Sequence, residues 1–432
     1  MELNQKELDI KNKEKIIENK NMELNQKELD IKNKEKIINN KYMELNQKEI
    51  YIKNKEENLA QQMIEFEKNK NKFIDNLRNQ QNETILIGLN NIGQNCYMNS
   101  TLQCLSNTNK LTEYFLTKYN QSRNKKMSNA YYKLLLNLWD INKNNKSYSP
   151  YAFKEILSKE NPLFAGIAAN DSKDLINFLI ERFHQELSEI KANNNNNNNN
   201  YINIKDQSNE QLMLNSFIKE FKEKFNSPIS DLFYGMIETR SQCQGCQIIK
   251  YNFQVYSFLD FPLQQVNQFC YNNGKRPLFN NDGTNPDVNL YECFDYYQKI
   301  DLMNGENQMY CNFCNKLCDS LYSTSIYSSP LILIINLNRG RGAIYECQVN
   351  FPEQLILYNY VVLKDGYTAY QLYAVICHLG SSSMSGHFVA YCRNRIDNKW
   401  YLYNDGMVSL CSKPRQYQDG MPYLLFYRAL GD

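Results

Sequence analysis

GLNNIGQNCYMNSTLQCL, from Gly88 to Leu105, is the stretch on which the reading of this chain turns. Gly and Asn crowd its first half, and an apolar period opens in its second. From Cys96 onward, Met98, Leu102 and Leu105 fall at i, i+4 and i+7, which predicts a helix starting at or just after Cys96. The glycines at 88 and 93 allow a tight approach turn. A thiol at a helix N-terminus feels the positive end of the helix dipole, which favours the thiolate. The alternative is a buried cysteine acting as a small hydrophobe. A base elsewhere in the chain decides between the two.

The chain has three histidines. His184 sits in a helical pattern, ERFHQEL, and reads as a surface or satisfied histidine. His378 lies in an apolar strand, YAVICHLG, and reads as structural. His387 follows a small-residue loop, GSSSMSG, and opens the strand GHFVAYCR, where an imidazole can face a cleft. Beyond it comes KWYLYNDG, in which Asn404 and Asp405 end a strand; either could accept a hydrogen bond from the imidazole and fix its tautomer. Cys, then His, then Asn or Asp is the chain order of papain-like thiol proteases.

With 432 residues there is room for one large domain or two to three ordinary ones, and 42% hydrophobic residues suffice for a core. Lys and Arg (49) nearly cancel Asp and Glu (47), which argues against a dedicated nucleic-acid binder. No apolar run approaches the roughly 18–20 residues of a membrane helix. The 13 cysteines are odd in number and the first residues do not resemble a signal peptide. The expectation is a reducing, intracellular setting, cytoplasm or nucleus, where clustered cysteines mean metal or catalysis more often than disulfides.

Composition divides the chain near residue 84. Residues 1–83 hold no Gly and no Pro and repeat a 21-residue unit, MELNQKELDIKNKEKIIENKN. An apolar residue recurs every seven positions, including Leu3, Ile10, Ile17, Leu24, Ile31, Ile38 and Leu45. This predicts a charged helical arm with a coiled-coil-like seam that could join two chains. The second column, Leu8, Leu29 and Ile50, lies two positions before the first and so points to another face; a solvated helix or a disordered arm is the alternative. From 88 to about 225 the pattern is mostly helical, interrupted by eight Asn at 193–200 within a disordered insertion of about 191–210. Strand-like segments take over from about 232, with 265–290 read as a polar loop. Helices first and strands later indicate an α+β fold.

Two CxxC knuckles, Cys243 with Cys246 and Cys311 with Cys314, have the spacing of a closed four-thiolate zinc site. Cys318 is close enough in sequence to substitute, and Cys270 and Cys293 are more remote spares.

The sequence resembles the ubiquitin-specific proteases over about residues 87–430. GLNNIGQNCYMNSTLQCL is similar to their cysteine box, and GHFVAYCR followed by WYLYNDGMVS is similar to their histidine box. The resemblance implies a papain-like catalytic domain over about 84–430: a helical thumb, a β-rich palm and zinc-tipped β fingers at about 232–330. It implies Cys96 as nucleophile, His387 as general base, Asn404 as third member with Asp405 as substitute or helper, and Asn91 as an oxyanion donor. An amide donor suits that last role because it stabilises the anion with no proton change. AANDSKDLINFLIERFHQEL resembles the family's substrate helix and aligns Asp171 with a carboxylate that meets the basic tail of ubiquitin; Asp171 is also suited to capping that helix, and the two roles are compatible. Asp174 reads as structural. The implied partners are ubiquitin and ubiquitinated proteins. The chain departs from the family pattern at Gln94, Asn95, Ala169, Asn170, the LNRGRG segment at 337–342 and Phe388, none of which removes a catalytic group. A catalytically inactive ubiquitin-binding protein and a scaffold built on the repeat arm are the other classes the sequence admits.

Overall fold

The computed structural model describes residues 85–139, 146–188, 208–224, 226–340, 345–380, 386–414 and 420–430, with scattered residues between 22 and 53. The chain divides into two units, 1–78 and 79–432. The described residues of the first unit are all helical. Ile38 and Leu45, members of the seven-residue column, are exposed. The rest of the arm and the run of eight Asn lie outside the described residues.

The second unit mixes helix and sheet as the α+β reading requires. Its helical lobe is laid around Cys96–Ser106, in which every residue is buried. A helix buried on all sides belongs to a core rather than a surface. Lys126–Leu138, Tyr151–Glu160, Ser172–Leu187 and Pro228–Phe233 belong to the same lobe. Three aromatic rings meet between them: Phe115 lies 4.9 Å from Tyr131 and 5.5 Å from Phe183, centroid to centroid, in edge-on contacts that favour ring pairs.

Against this lobe stands an eight-stranded sheet. Seven strands run in the order Met407–Cys411, Trp400–Asn404, His387–Arg393, Ala369–Leu379, Met421–Ala429, Ile332–Asn338, Leu259–Pro262. Gln354–Ile356 pairs beside Ala369–Leu379. The central strands are buried along nearly their whole length, which is why they read as continuous apolar runs such as LILIINLN and YAVICHLG. Helix Cys96–Ser106 packs on strand His387–Arg393, so the thiol and the imidazole come from two elements in direct contact.

A second sheet of four antiparallel strands, Ile249–Tyr256, Gly235–Cys243, Ser320–Ser328 and Ile300–Met303, carries the cysteine knuckles. The knuckle of Cys311 and Cys314 sits on the small hairpin of Met309–Cys311 with Lys316–Cys318.

The polar loop read at 265–290 is corrected at its start: Leu263–Asn272 is a helix. Leu263, Val266, Asn267 and Cys270 are its buried face. Asn267 fits there because Nδ2 donates to the Leu278 carbonyl at 3.0 Å and Oδ1 accepts from Arg276 Nε at 3.0 Å. An Asn in an apolar stripe hides the helical period from a sequence reading.

Candidate active site

The loop before Cys96 is docked on the turn after Asn404. Gly88 and Leu89 pair in parallel with Ser147 and Tyr148, and the Leu89 amide donates to the Asp405 carbonyl at 2.9 Å. A Cβ on Gly88 would lie 2.4 Å from the Gly406 carbonyl oxygen, so only glycine allows this approach. Asn404 pairs with Met407, leaving Asp405 and Gly406 as a two-residue hairpin turn. Asp405 has φ +49°, a left-handed conformation that Asp tolerates better than most residues.

Cys96 is the first residue of its helix, with Asn95 at the cap position. Hydrogen bonding to the Asn95 carbonyl begins at Met98 and Asn99, so the amides of Cys96 and Tyr97 precede the helix ladder. His387 begins its strand, and its Nε2–H donates to Asn404 Oδ1 at 2.7 Å. That bond leaves Nδ1 as the nitrogen for the sulphur. The His387 imidazole is pushed up from 6.5 to about 9; the hydrogen bond with Cys96 is the foremost cause, burial opposes it, and the Asn404 bond and the charges of Cys96 and Asp405 add to it. Asp405 Oδ2 stands 3.9 Å from Nε2.

Asn91 is in the same cluster. Its Nδ2 donates to Asp405 Oδ2 at 3.0 Å, and its Oδ1 accepts from the Gly93 amide at 3.1 Å. A carboxamide nitrogen carries two N–H groups, so Asp405 takes one of the two on Asn91. Asn99, which the sequence did not single out, holds the other side of Asp405: Nδ2 donates to Oδ1 at 2.8 Å and to the Leu89 carbonyl at 2.9 Å. Its signal was a polar residue one helical turn after Cys96, on the side facing the loop.

Asp171 caps helix Ser172–Leu187 by accepting from the Lys173 amide at 2.7 Å. Its second oxygen accepts from Tyr423 Oη at 2.6 Å, a partner the sequence gave no sign of. Burial and the Asp171 charge push the Tyr423 phenol up, so it remains a donor. Asp174, in the first turn of the same helix, has its carboxyl pushed up by burial and by Asp171. His184 is buried, with Nδ1 2.7 Å from Ser227 Oγ, and His378 is buried within its strand beside Phe388.

At the far tip of the four-stranded sheet the Sγ atoms of Cys243, Cys246, Cys311 and Cys314 lie within 4.8 Å of one another. Cys243 to Cys314 is 3.9 Å and Cys246 to Cys311 is 3.7 Å. A tetrahedral zinc with Zn–S near 2.3 Å has S···S edges of about 3.8 Å, so these four sulphurs can hold a metal ion. Cys318 stands beside them, its sulphur 3.8 Å from where a Gly245 Cβ would be. Cys270 and Cys293 are buried on helices Leu263–Asn272 and Leu290–Tyr297, outside the cluster.

A helical lobe packed on a sheet, with a cysteine at a helix N-terminus facing a histidine at a strand start, defines a papain-like arrangement. The sequence pattern described as ubiquitin carboxyl-terminal hydrolase matches residues 87–427, and the chain belongs to that family. Among its relatives, ubiquitin carboxyl-terminal hydrolase 2 of Rattus norvegicus is 28% identical over 355 residues, covering 79% of this chain and 54% of that protein. Ubiquitin carboxyl-terminal hydrolase 21 of Homo sapiens is 28% identical over 367 residues, covering 80% and 61%. The chain thus matches a little over half the length of these relatives. Among solved structures, the SAGA DUB module of Ubp8, Sgf11, Sus1 and Sgf73 bound to monoubiquitin shares the fold, with TM-score 0.56 and 21% identity over 81% of this chain and 70% of that one.

A raised histidine pKa has a definite sign. The imidazolium stabilises the folded site fully below about 6.5, and that contribution is lost as pH rises through about 9. Hydrolysis of a ubiquitin C-terminal reporter is therefore expected to show an alkaline limb in kcat/KM near pH 9. Asn404→Ala, which removes one of the supports of the imidazolium, should move that limb to lower pH. An unmoved limb in the variant would disconnect Asn404 from the histidine.

Proposed function

We propose that this chain is a thiol-dependent deubiquitinase that hydrolyses the peptide or isopeptide bond after the C-terminal glycine of ubiquitin. The observation that carries the proposal is the packing of the helix that starts at Cys96 on the strand that starts at His387, whose imidazole is held by Asn404 at 2.7 Å. Cys96 thiolate attacks the glycine carbonyl carbon. The oxyanion is met by the Cys96 backbone N–H and the second N–H of Asn91, both fixed before substrate arrives. His387, protonated at Nδ1, gives its proton to the leaving amine as the carbon–nitrogen bond breaks. Water then adds to the thioester with His387 as base and releases ubiquitin. Asn404 holds the ring orientation throughout, and Asp405 supports the positive charge. Asp171, with carboxylate lone pairs still open, meets a basic residue of the ubiquitin tail.

The four knuckle cysteines hold a structural zinc, consistent with the sulphur spacing and with four thiolates closing the coordination shell. Bound there, the metal ties two hairpins together and takes no part in the chemistry. The substrates are ubiquitinated proteins of the cytoplasm or nucleus, a setting that suits thirteen cysteines with no disulfide among them.

A ubiquitin bearing a C-terminal electrophile should become covalently attached to the wild-type chain and not to Cys96→Ala. Attachment that survives in Cys96→Ala, at another of the 13 cysteines, would refute the assignment.

Metal analysis of the purified chain should find about one zinc per molecule. Cys311→Ser should lower the melting temperature, because metal binding at a structural site is folding free energy. A folded, metal-free chain with the same melting temperature as the variant would reject the zinc site.

A further inference from the structure

Helix Cys96–Ser106 and strand His387–Arg393 each run from the proposed catalytic pair to a second cavity, of about 350 Å³. Asn107 follows the helix into it, and Arg393 ends the strand in it. Lys110, Arg393 and Arg428 line the cavity, and none of its lining residues is acidic. Arg393 and Arg428 are half-buried, and among the described residues no carboxylate pairs with either. Arg393 Nε donates to the Asn398 carbonyl at 3.1 Å, which directs the rest of its guanidinium away from that bond.

The fold opens this space by a local irregularity. The ladder between Ala369–Leu379 and Met421–Ala429 slips between Leu372 and Ala374, so Tyr373 sits in a β-bulge. A bulge re-aims its side chain, and the Tyr373 hydroxyl reaches up to Thr108 Oγ1 at 2.7 Å rather than lying flat across the neighbouring strands. Arg428 stands in register with Gln371 on one side and Ile332 on the other. Asn107 and Asn109 complete the wall, and each keeps a buried amide oxygen with no hydrogen-bond partner. Asn107 is 3% exposed, so water in bulk does not satisfy it.

Half-buried guanidinium groups without an anion, and buried acceptors without a donor, are both costly, and one kind of ligand resolves both. Phosphate oxygens match the planar fork of arginine in bidentate fashion, and hydroxyl groups donate to amide oxygens. The volume falls within the range of small-molecule sites. We propose that this cavity binds a small phosphorylated polyol, its phosphate on Arg393 and Arg428 and its hydroxyls on Asn107 and Asn109. The same phosphorylated polyol chemistry exists free in solution and as a lipid headgroup; the recessed arginines favour the free form.

Titration calorimetry on the full chain, without ubiquitin, tests this independently of the hydrolase reading. Inositol trisphosphate should bind with a stoichiometry of about one and raise the melting temperature by mass action. Arg428→Gln should weaken its Kd about tenfold or more, the loss expected for a charge-assisted hydrogen-bond pair. Arg393→Gln, at the strand end, should do the same and serves if the first variant unfolds. Inorganic pyrophosphate, which has the charge and no hydroxyl, should bind more weakly than inositol trisphosphate. Absence of inositol trisphosphate binding, or an unchanged Kd in both variants, would overturn the proposal. So would binding only to vesicles that carry phosphatidylinositol phosphate, since the ligand would then be the membrane headgroup.

Discussion

The Asp405 carboxylate is gripped by two side-chain amides, Asn99 Nδ2 at 2.8 Å on one oxygen and Asn91 Nδ2 at 3.0 Å on the other. Asn99 comes from the helix that starts at Cys96; Asn91 comes from the loop that leads into it. Asp405 belongs to the hairpin turn whose preceding residue, Asn404, holds His387. One carboxylate therefore ties the N-terminus of the thiol helix to the strand that orients the imidazole. The network extends inward: Asn95 Nδ2 donates to Asn99 Oδ1 at 3.1 Å, and the Ile92 amide donates to Asn95 Oδ1 at 2.8 Å. Asn95 and Asn99 are buried and Asp405 is half-buried, while Asn91 closes the network from the exposed side; an orphaned polar group at the buried end costs about 1–3 kcal/mol. The network is thus specific: the loop, helix and turn satisfy it together in one arrangement.

That constraint explains the tightness at Gly88 and Gly406. The loop must lie against the turn for Leu89 to reach the Asp405 carbonyl, and any Cβ at Gly88 would meet the backbone of residues 405 and 406. The glycine at 88, read from sequence as freedom for a turn, is required by a close backbone approach instead. The same helix carries the effect through the domain, because it is buried on all sides and packs on both strand His387–Arg393 and helix Ser172–Leu187. The capping Asp171 of that second helix is bonded in turn to Tyr423 of the sheet.

Much of this was legible in the sequence where a local pattern reports a local cause. The apolar spacing after Cys96 located the helix start, and the change from the loop GSSSMSG to an apolar run located the strand of His387. The knuckle spacing located four sulphurs that the fold brings within 4.8 Å of one another from two separate hairpins. The rest depends on long-range pairing. Asn99 reads as a flaw in an apolar face until the turn 306 residues away is set against it. Tyr423 is one tyrosine in an apolar strand until Asp171 is beside it. Helix Leu263–Asn272 was hidden because Asn267 is buried by partners at Arg276 and Leu278. The bulge at Tyr373 is a property of register between two strands, and no short window of sequence records register. The four-stranded sheet leaves Ile300 and Leu302 exposed and the small knuckle hairpin leaves Tyr310 and Leu317 exposed, so this tip has little apolar burial of its own and depends on what joins the knuckles.

The central claim is that Asp405 acts through its grip on the thiol helix, so the contact between Asn99 and Asp405 is the place to measure. A double-mutant cycle on kcat for a ubiquitin reporter, with Asn99→Ala, Asp405→Ala and the pair, separates the contact from its parts. The account predicts strong non-additivity: once either partner is gone the alignment is lost, and the double variant is no slower than the worse single one. Losses that simply multiply would contradict it, since the two residues would then act on catalysis independently.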